Sequence, residues 1–480
     1  MRKWCRVVAL FAFVMIVQGC SEKANDSPLD PNNPISITLW HYYSGNTKIK
    51  FDQLVETFNE TVGMEKGILV DAQSQGDISR LETAVYDAAN NQIGAQRLPD
   101  IFASYPDNAY RVSNSVEFVD LTHYFSDEEL AEYREDFLQI GQLGKEQTLT
   151  ILPIAKATEN VFVNKTVWDA FSRDTNTELS MLRTWEGIAK VSELYYKWSN
   201  GHAFFGIDSV ANFMLSTAEQ QGASIVSYRS GEAEVQLDIE AMYAMWETYY
   251  VPMLKGYYAK EGRFSSDDAK LGVVAAYTGS TASAAYFPTE VTLSAERIEP
   301  IESIVLPYPT FAQGEPVVTQ QGAGMVIVKS DEAHEFAASE FLKWFTDVEQ
   351  NRAFAAATAY FPVKTEALDE TAMLQAVQQE QDFTAPALNS SIATTIDMLK
   401  TYRLYGYPAF DNSYELRELL DRHLKEWVKS DFATLAQLTG EAHAKQLEEY
   451  TSQAWFERWY ASLQQEMEAV TSMPIAGGTQ

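Results

Sequence analysis

The sequence predicts an α/β fold divided into at least two bodies. Three observations lead there. Short apolar strands alternate with segments of helical period from residue 35 onward. About 450 residues follow the N-terminal leader, more than one hydrophobic core usually organises. A fresh series of strand and helix signals then begins near residue 206.

The leader comes first. Arg2, Lys3 and Arg6 precede an apolar stretch from Val7 to Val17, too short to span a bilayer comfortably and suited to the core of a signal peptide. It ends at Val17-Gln18-Gly19-Cys20, which resembles a bacterial lipobox. That resemblance implies a signal peptide over 1–19 and a lipid on Cys20. Acyl chains there would hold the protein on a membrane, at roughly 0.8 kcal/mol per buried methylene. Residues 20–34, rich in Ser, Asn, Asp and Pro, read as a flexible tether.

The folded part opens with Ile35 to Trp40, which alternates apolar and polar residues as a strand does. His41-Tyr42-Tyr43-Ser44-Gly45 then reads as a polar, aromatic loop. Phe51, Leu54, Val55 and Phe58 recur at helical spacing. A strand is expected over 68–72, a helix carrying Ile78, Leu81, Val85 and Ala88, and a third strand over 101–104 after Pro99-Asp100. This order argues for a parallel sheet covered by helices, with ligands at loops beyond the carboxyl ends of the strands. Those loops are 41–45, 73–77 and 105–108.

Extended segments are expected over 149–154 and 161–163. Thr184 is placed to cap a helix that runs to Trp198. Further strands are expected over 304–307, leading back to the first body, and over 324–328. Phe336, Ala337, Phe341, Trp344 and Phe345 lie on a helix with a wide apolar face, and the last ~110 residues read mostly as helix.

Charge and composition exclude several classes. Loss of Arg2, Lys3 and Arg6 takes the 36 basic residues to 33 against 67 acidic ones, a formal charge of −34. Such a surface repels phosphate backbones, so no nucleic-acid partner is expected. Cys5 and Cys20 are the two cysteines of the chain. Cys5 leaves with the leader, so no internal disulfide and no thiolate metal site is expected. No P-loop, no dinucleotide-binding glycine pattern, no HExxH and no G-x-S-x-G elbow occurs. Neither a cofactor nor a metal is expected.

The ordered motifs then resemble a family. Ile37-Thr-Leu-Trp-His41, Phe51 to Asn59, Leu98-Pro-Asp-Ile-Phe102, Leu152-Pro153, Val161-Phe-Val-Asn-Lys165 and Thr184-Trp-Glu186 follow one another as in the family 1 extracellular solute-binding proteins of ATP-driven importers. Gly279-Ser280, Gln321-Gly-Ala-Gly324, Glu340 to Phe345 and Tyr360-Phe-Pro-Val363 continue the series. The resemblance implies a two-lobed periplasmic-binding-protein-like fold (type II), with hinge segments joining the lobes. Lobe I is expected over 35–157 with 308–360, and lobe II over 158–307 with 361–480. It further implies a monomeric, non-enzymatic receptor that hands a small polar solute, a mono- or oligosaccharide foremost, to membrane permease subunits. A lipid-anchored glycoside hydrolase, a glycerol-phosphate receptor and a surface adhesin are the alternatives.

Sugars stack their C–H faces on aromatic rings and pair their hydroxyls with carboxylates and amides. From the first lobe the candidates are His41, Tyr42, Tyr43, Ser74, Gln75, Tyr105, Asp107 and Tyr360. Glu159, Gln321 and Gly322 lie at or beside the crossings. From the second lobe they are Asn212, Phe213, Ser280, Thr281, Tyr286 and Arg403. Each has a plainer reading: ring burial for the tyrosines, helix capping for Asp107, a surface ion pair for Arg403.

Overall fold

The computed structural model describes residues 27–229, 232–294, 296–380 and 385–474. The leader and Cys20 lie outside the described residues. Two separate sheets organise the chain. The first has five strands in the order Ile68–Ser74, Ile35–His41, Ile101–Ser104, Gly324–Ile327 and Ile151–Leu152. Its first three strands are parallel, and Gly324–Ile327 runs antiparallel to Ile101–Ser104. The second has four strands in the order Ser303–Pro307, Glu159–Asn164, Ala276–Ser280 and Phe205–Ile207.

Local chemistry accounts for the elements that aim at the gap between these sheets. In Ile35–His41 the alternation holds at first, with Ile37 and Leu39 buried. It then fails, because Trp40 and His41 are buried as well. The strand end is therefore covered on both faces. Asp77 caps the helix Ile78–Ala89 by accepting from the Arg80 N–H. Thr184 caps Trp185–Trp198 through the Gly187 N–H, as the sequence suggests.

The first sheet has one core, and the second has two, the further one around Phe162, Tyr277, Phe287 and Val305. The first packs Phe51, Phe58, Phe102, Phe341, Phe345 and Phe354 around strand residues Ile37, Leu39 and Val326. The second packs Trp185, Phe213, Trp246, Tyr250 and Trp459. Three chain segments pass side by side between them. The Lys156 N–H donates to the Phe361 carbonyl and the Ala157 N–H to the Gln321 carbonyl, each at 3.0 Å. The return crossing differs from expectation. Tyr308, Phe311, Val317 and Val318 all sit in the second core, so the chain re-enters the first body near Gln320 and not near 308. The reason is that Ser303–Pro307 is an edge strand of the second sheet, and the next residues stay packed beside it.

Gly322 shows why the crossing is tight. Its φ is +89°, and an added Cβ would lie 2.4 Å from the Ala155 carbonyl oxygen. Glycine is required there by the neighbouring crossing strand.

Candidate functional site

Strand ends from both sheets face one cleft. On the first side, His41 and Ser74 are ladder partners at the ends of their strands. On the second, Glu159, which begins its strand, and Ser280, which ends an antiparallel neighbour, are ladder partners. The crossing residues Ala157 and Gln321 lie between them.

The first side is aromatic. The Tyr42 and Tyr360 hydroxyl oxygens are 3.4 Å apart. The Tyr105 hydroxyl accepts from the Gly322 N–H at 3.4 Å. Tyr43 is buried behind them, its ring 5.1 Å from Phe51 and 5.4 Å from Phe354. These rings are held by the first core.

The second side is polar and networked. Asn212, in the first turn of the helix Val210–Gln220, donates to Glu159 Oε1 at 3.3 Å and accepts from Arg417 Nη2 at 2.8 Å. Arg417 comes from the helix Ser413–Leu435 and reaches toward Asp107 of the opposite body. Burial pushes the Glu159 carboxyl up to about 7, against the opposing pull of the Asn212 amide. Burial, with the Asp107 charge beside it, pushes Glu82 up to about 8. Asp107 is raised by burial, with Arg417 pulling the other way.

The rims of the cleft touch. The Tyr286 hydroxyl donates to the Ser44 carbonyl at 3.3 Å, and Arg263 pairs with Asp77 at 3.3 Å. On another edge, the Tyr110 hydroxyl donates to Asp411 at 3.0 Å and Tyr414 to Glu82 at 3.5 Å. Among the described residues no group of three or more His, Cys, Asp or Glu side chains is arranged to hold a metal ion.

The family model for bacterial extracellular solute-binding proteins matches residues 53–385. The chain belongs to that family. Solved structures agree on the fold. The cyclic alpha-maltosyl-1,6-maltose binding protein of Arthrobacter globiformis superposes with a TM-score of 0.66 at 17% identity, covering 93% of this chain and 100% of its own. UgpB of Mycobacterium tuberculosis, in complex with glycerophosphocholine, gives 0.66 at 16% identity, over 92% and 99%. The substrate-binding protein Lmo0181 of Listeria monocytogenes, in complex with cycloalternan, gives 0.66 at 14% identity, over 91% and 100%. No curated protein matches the chain. The protein is thus a two-lobed member of a family of bacterial extracellular solute-binding proteins. Among the described residues no helix is long and apolar enough to cross a membrane.

In this solute-binding protein the expected site residues separate into two groups. Tyr42, Gln75, Tyr105, Asp107, Glu159, Asn212, Ser280, Tyr286, Gln321 and Tyr360 come together around the cleft. The others have structural duties. His41 is fully buried against Phe51 at 4.8 Å, its Nδ1 accepts from the Tyr43 N–H, and burial lowers its pKa to about 4. Tyr43 and Phe213 are core residues, Phe213 edge-on to Trp185 at 4.8 Å. Ser74 donates to the Tyr43 carbonyl and Thr281 binds the Thr158 backbone. Gly322 serves the crossing strands.

Arg403 is the clearest correction. It begins a short strand, Arg403–Tyr405, paired with Val317–Thr319, and its exposed guanidinium bonds Glu219 at 2.6 Å. Glu219 is seven residues past Asn212 on one helix, about 10 Å further along its axis. The arginine of the cleft is Arg417, which sequence reasoning passed over together with Glu82. Both sit at ordinary positions of amphipathic helices, where charge carries no local signal of function.

Proposed function

We propose that this protein captures a neutral carbohydrate between its lobes and presents it to the permease of an importer. One observation carries the reading: an aromatic wall of Tyr42, Tyr105 and Tyr360 faces a polar wall of Glu159, Asn212, Ser280 and Gln321. The two walls match the two kinds of surface on a sugar. The cleft guanidinium, Arg417, is already offset by Asp107, which disfavours an anionic solute. The cyclic alpha-maltosyl-1,6-maltose and cycloalternan of two similar structures are carbohydrates, which supports the class.

Closure follows from the same geometry. The lobes divide as 35–157 with 320–360, and 158–319 with 361–474. A solute that touches both walls favours the closed arrangement by its differential affinity. Cys20 carries the lipid that keeps the receptor at the membrane. Thermal denaturation with a panel of mono- and oligosaccharides tests the class. A saturating sugar, at a hundred times its dissociation constant, should stabilise by about 2.7 kcal/mol. Small-angle scattering should then show a smaller radius of gyration. Stabilisation by phosphate esters alone would refute the carbohydrate reading, and tight binding at unchanged radius would refute closure. Fatty-acid labelling that persists in Cys20→Ala would refute the anchor.

A further inference from the structure

A groove of about 1070 Å3 lies in the second lobe, away from the cleft. It runs between the helix Ser413–Leu435 and the segments 256–261, 271–273 and Leu293. Its side on that helix begins at Lys425, eight residues past Arg417 and so about 12 Å along the axis. On that helix the groove therefore lies beyond the polar wall described above.

Its lining combines three features. Leu271, Leu293 and Phe432 are 58%, 46% and 50% exposed, large apolar side chains left in water beside one another. Isolated exposed apolar residues need no explanation, but a set converging on one groove marks a binding surface. Next, lysine is concentrated there. The chain carries 67 acidic against 36 basic residues, yet Lys260, Lys425 and Lys429 line the groove against Glu261 alone. Lys260 is tied to Asp208 and Lys425 to Asp421, while Lys429 has no ion pair among the described residues. Last, Tyr258 lines the groove at 2% exposure, and its hydroxyl has no hydrogen-bond partner. A buried hydroxyl left unpaired is costly unless something supplies an acceptor.

We propose that this groove is a second binding site, for an amphipathic organic anion with a flat or chain-like apolar body. The body would lie on Phe432, Leu271 and Leu293. The anionic head would meet Lys429, and an acceptor atom would complete Tyr258. The volume admits a molecule of drug-like size.

Fluorescence titration of the purified protein tests this with two probes, anilinonaphthalene sulfonate and the neutral phenylnaphthylamine. The sulfonate should bind saturably at one equivalent, roughly tenfold more tightly than the neutral probe. Phe432→Ser and Lys429→Glu change exposed residues and should each weaken it by roughly five- to tenfold. Tyr286→Ala, at the rim of the cleft, should leave it unchanged. Absence of saturable binding overturns the site. Equal affinity for both probes overturns the anionic class. Loss in Tyr286→Ala without loss in the groove variants assigns the probe to the cleft and overturns the proposal.

Discussion

At the first lobe's edge of the cleft, Tyr42, Tyr105 and Tyr360 stand on an aromatic core. Tyr43 lies directly between that core and Tyr42, with ring centroids 4.9 Å apart. At the second lobe's edge the side chains are Glu159, Asn212 and Arg417, joined by hydrogen bonds of 3.3 and 2.8 Å. The aromatic core of that lobe is elsewhere: Trp246 stacks on Tyr250 at 3.5 Å and packs against Trp459 at 5.3 Å. One wall is thus positioned by packing and the other by a polar network. Packing is stiff and holds rings at fixed distances. A network is directional and sensitive to protonation.

The largest expected effects test this contrast in the cores. Phe51→Ala and Trp246→Ala should each cost about 3–5 kcal/mol in chemical denaturation, as truncation of a buried aromatic does. Only Phe51→Ala should also weaken solute affinity by calorimetry, because Tyr43 rests on Phe51. Equal losses of affinity in both variants would break the distinction between the walls.

Next comes the network. Arg417→Ala removes the cation between Asp107 and Asn212 and leaves Asp107 buried with less compensation. Its cost should be about 2–3 kcal/mol, below the range for fully buried pairs because the arginine is half-buried. Asn212→Ala should be milder, since it breaks hydrogen bonds without orphaning a charge. A neutral Arg417→Ala variant would show that the network does not hold the second wall.

Protonation gives a graded effect. Glu82 and Glu159 have folded pKa values raised to about 8 and about 7 from 4.5, so the folded state binds more protons in that interval. Stability should therefore fall as pH rises from 4.5 toward 8, then level off. His41 acts oppositely. Its value of about 4 means that its contribution is present above 6.5 and is lost as pH falls toward 4. Glu82→Gln should flatten the decline on the alkaline side when Tm is followed from pH 6 to 9. An unchanged slope would remove Glu82 from the account.

The smallest effect belongs to Arg403. Its pair with Glu219 is exposed on the arginine side, so Arg403→Ala should cost under about 1 kcal/mol. Solute affinity should not change. A large loss of binding would return Arg403 to the site and Arg417 to a scaffold role.

Much of the architecture is readable from local pattern. The strand at Ile35–His41, the helical spacing of Phe51, Leu54, Val55 and Phe58, and the Thr184 cap all appear where the residues place them. The strand-end loops 41–45, 73–77 and 105–108 lie beyond one end of the first sheet, as a parallel sheet requires. Reading was weaker for depth. His41, Tyr43 and Phe213 sit in or next to the expected loops but turn inward, because the core closes over both faces at those strand and helix ends.

By itself the sequence determined the order of its main elements, the two-lobed fold class, the acidic composition and the membership of the family, all of which follow from periodicity, composition and motif order. Only the tertiary structure decided which residues meet between the lobes. Tyr42 meets Tyr360 across 318 residues, Arg417 meets Asn212 across 205, and Tyr414 meets Glu82 across 332. Periodicity reports which face of an element is apolar. It cannot report which distant element covers that face, and here that covering separates a ring in the core from a ring in the cleft.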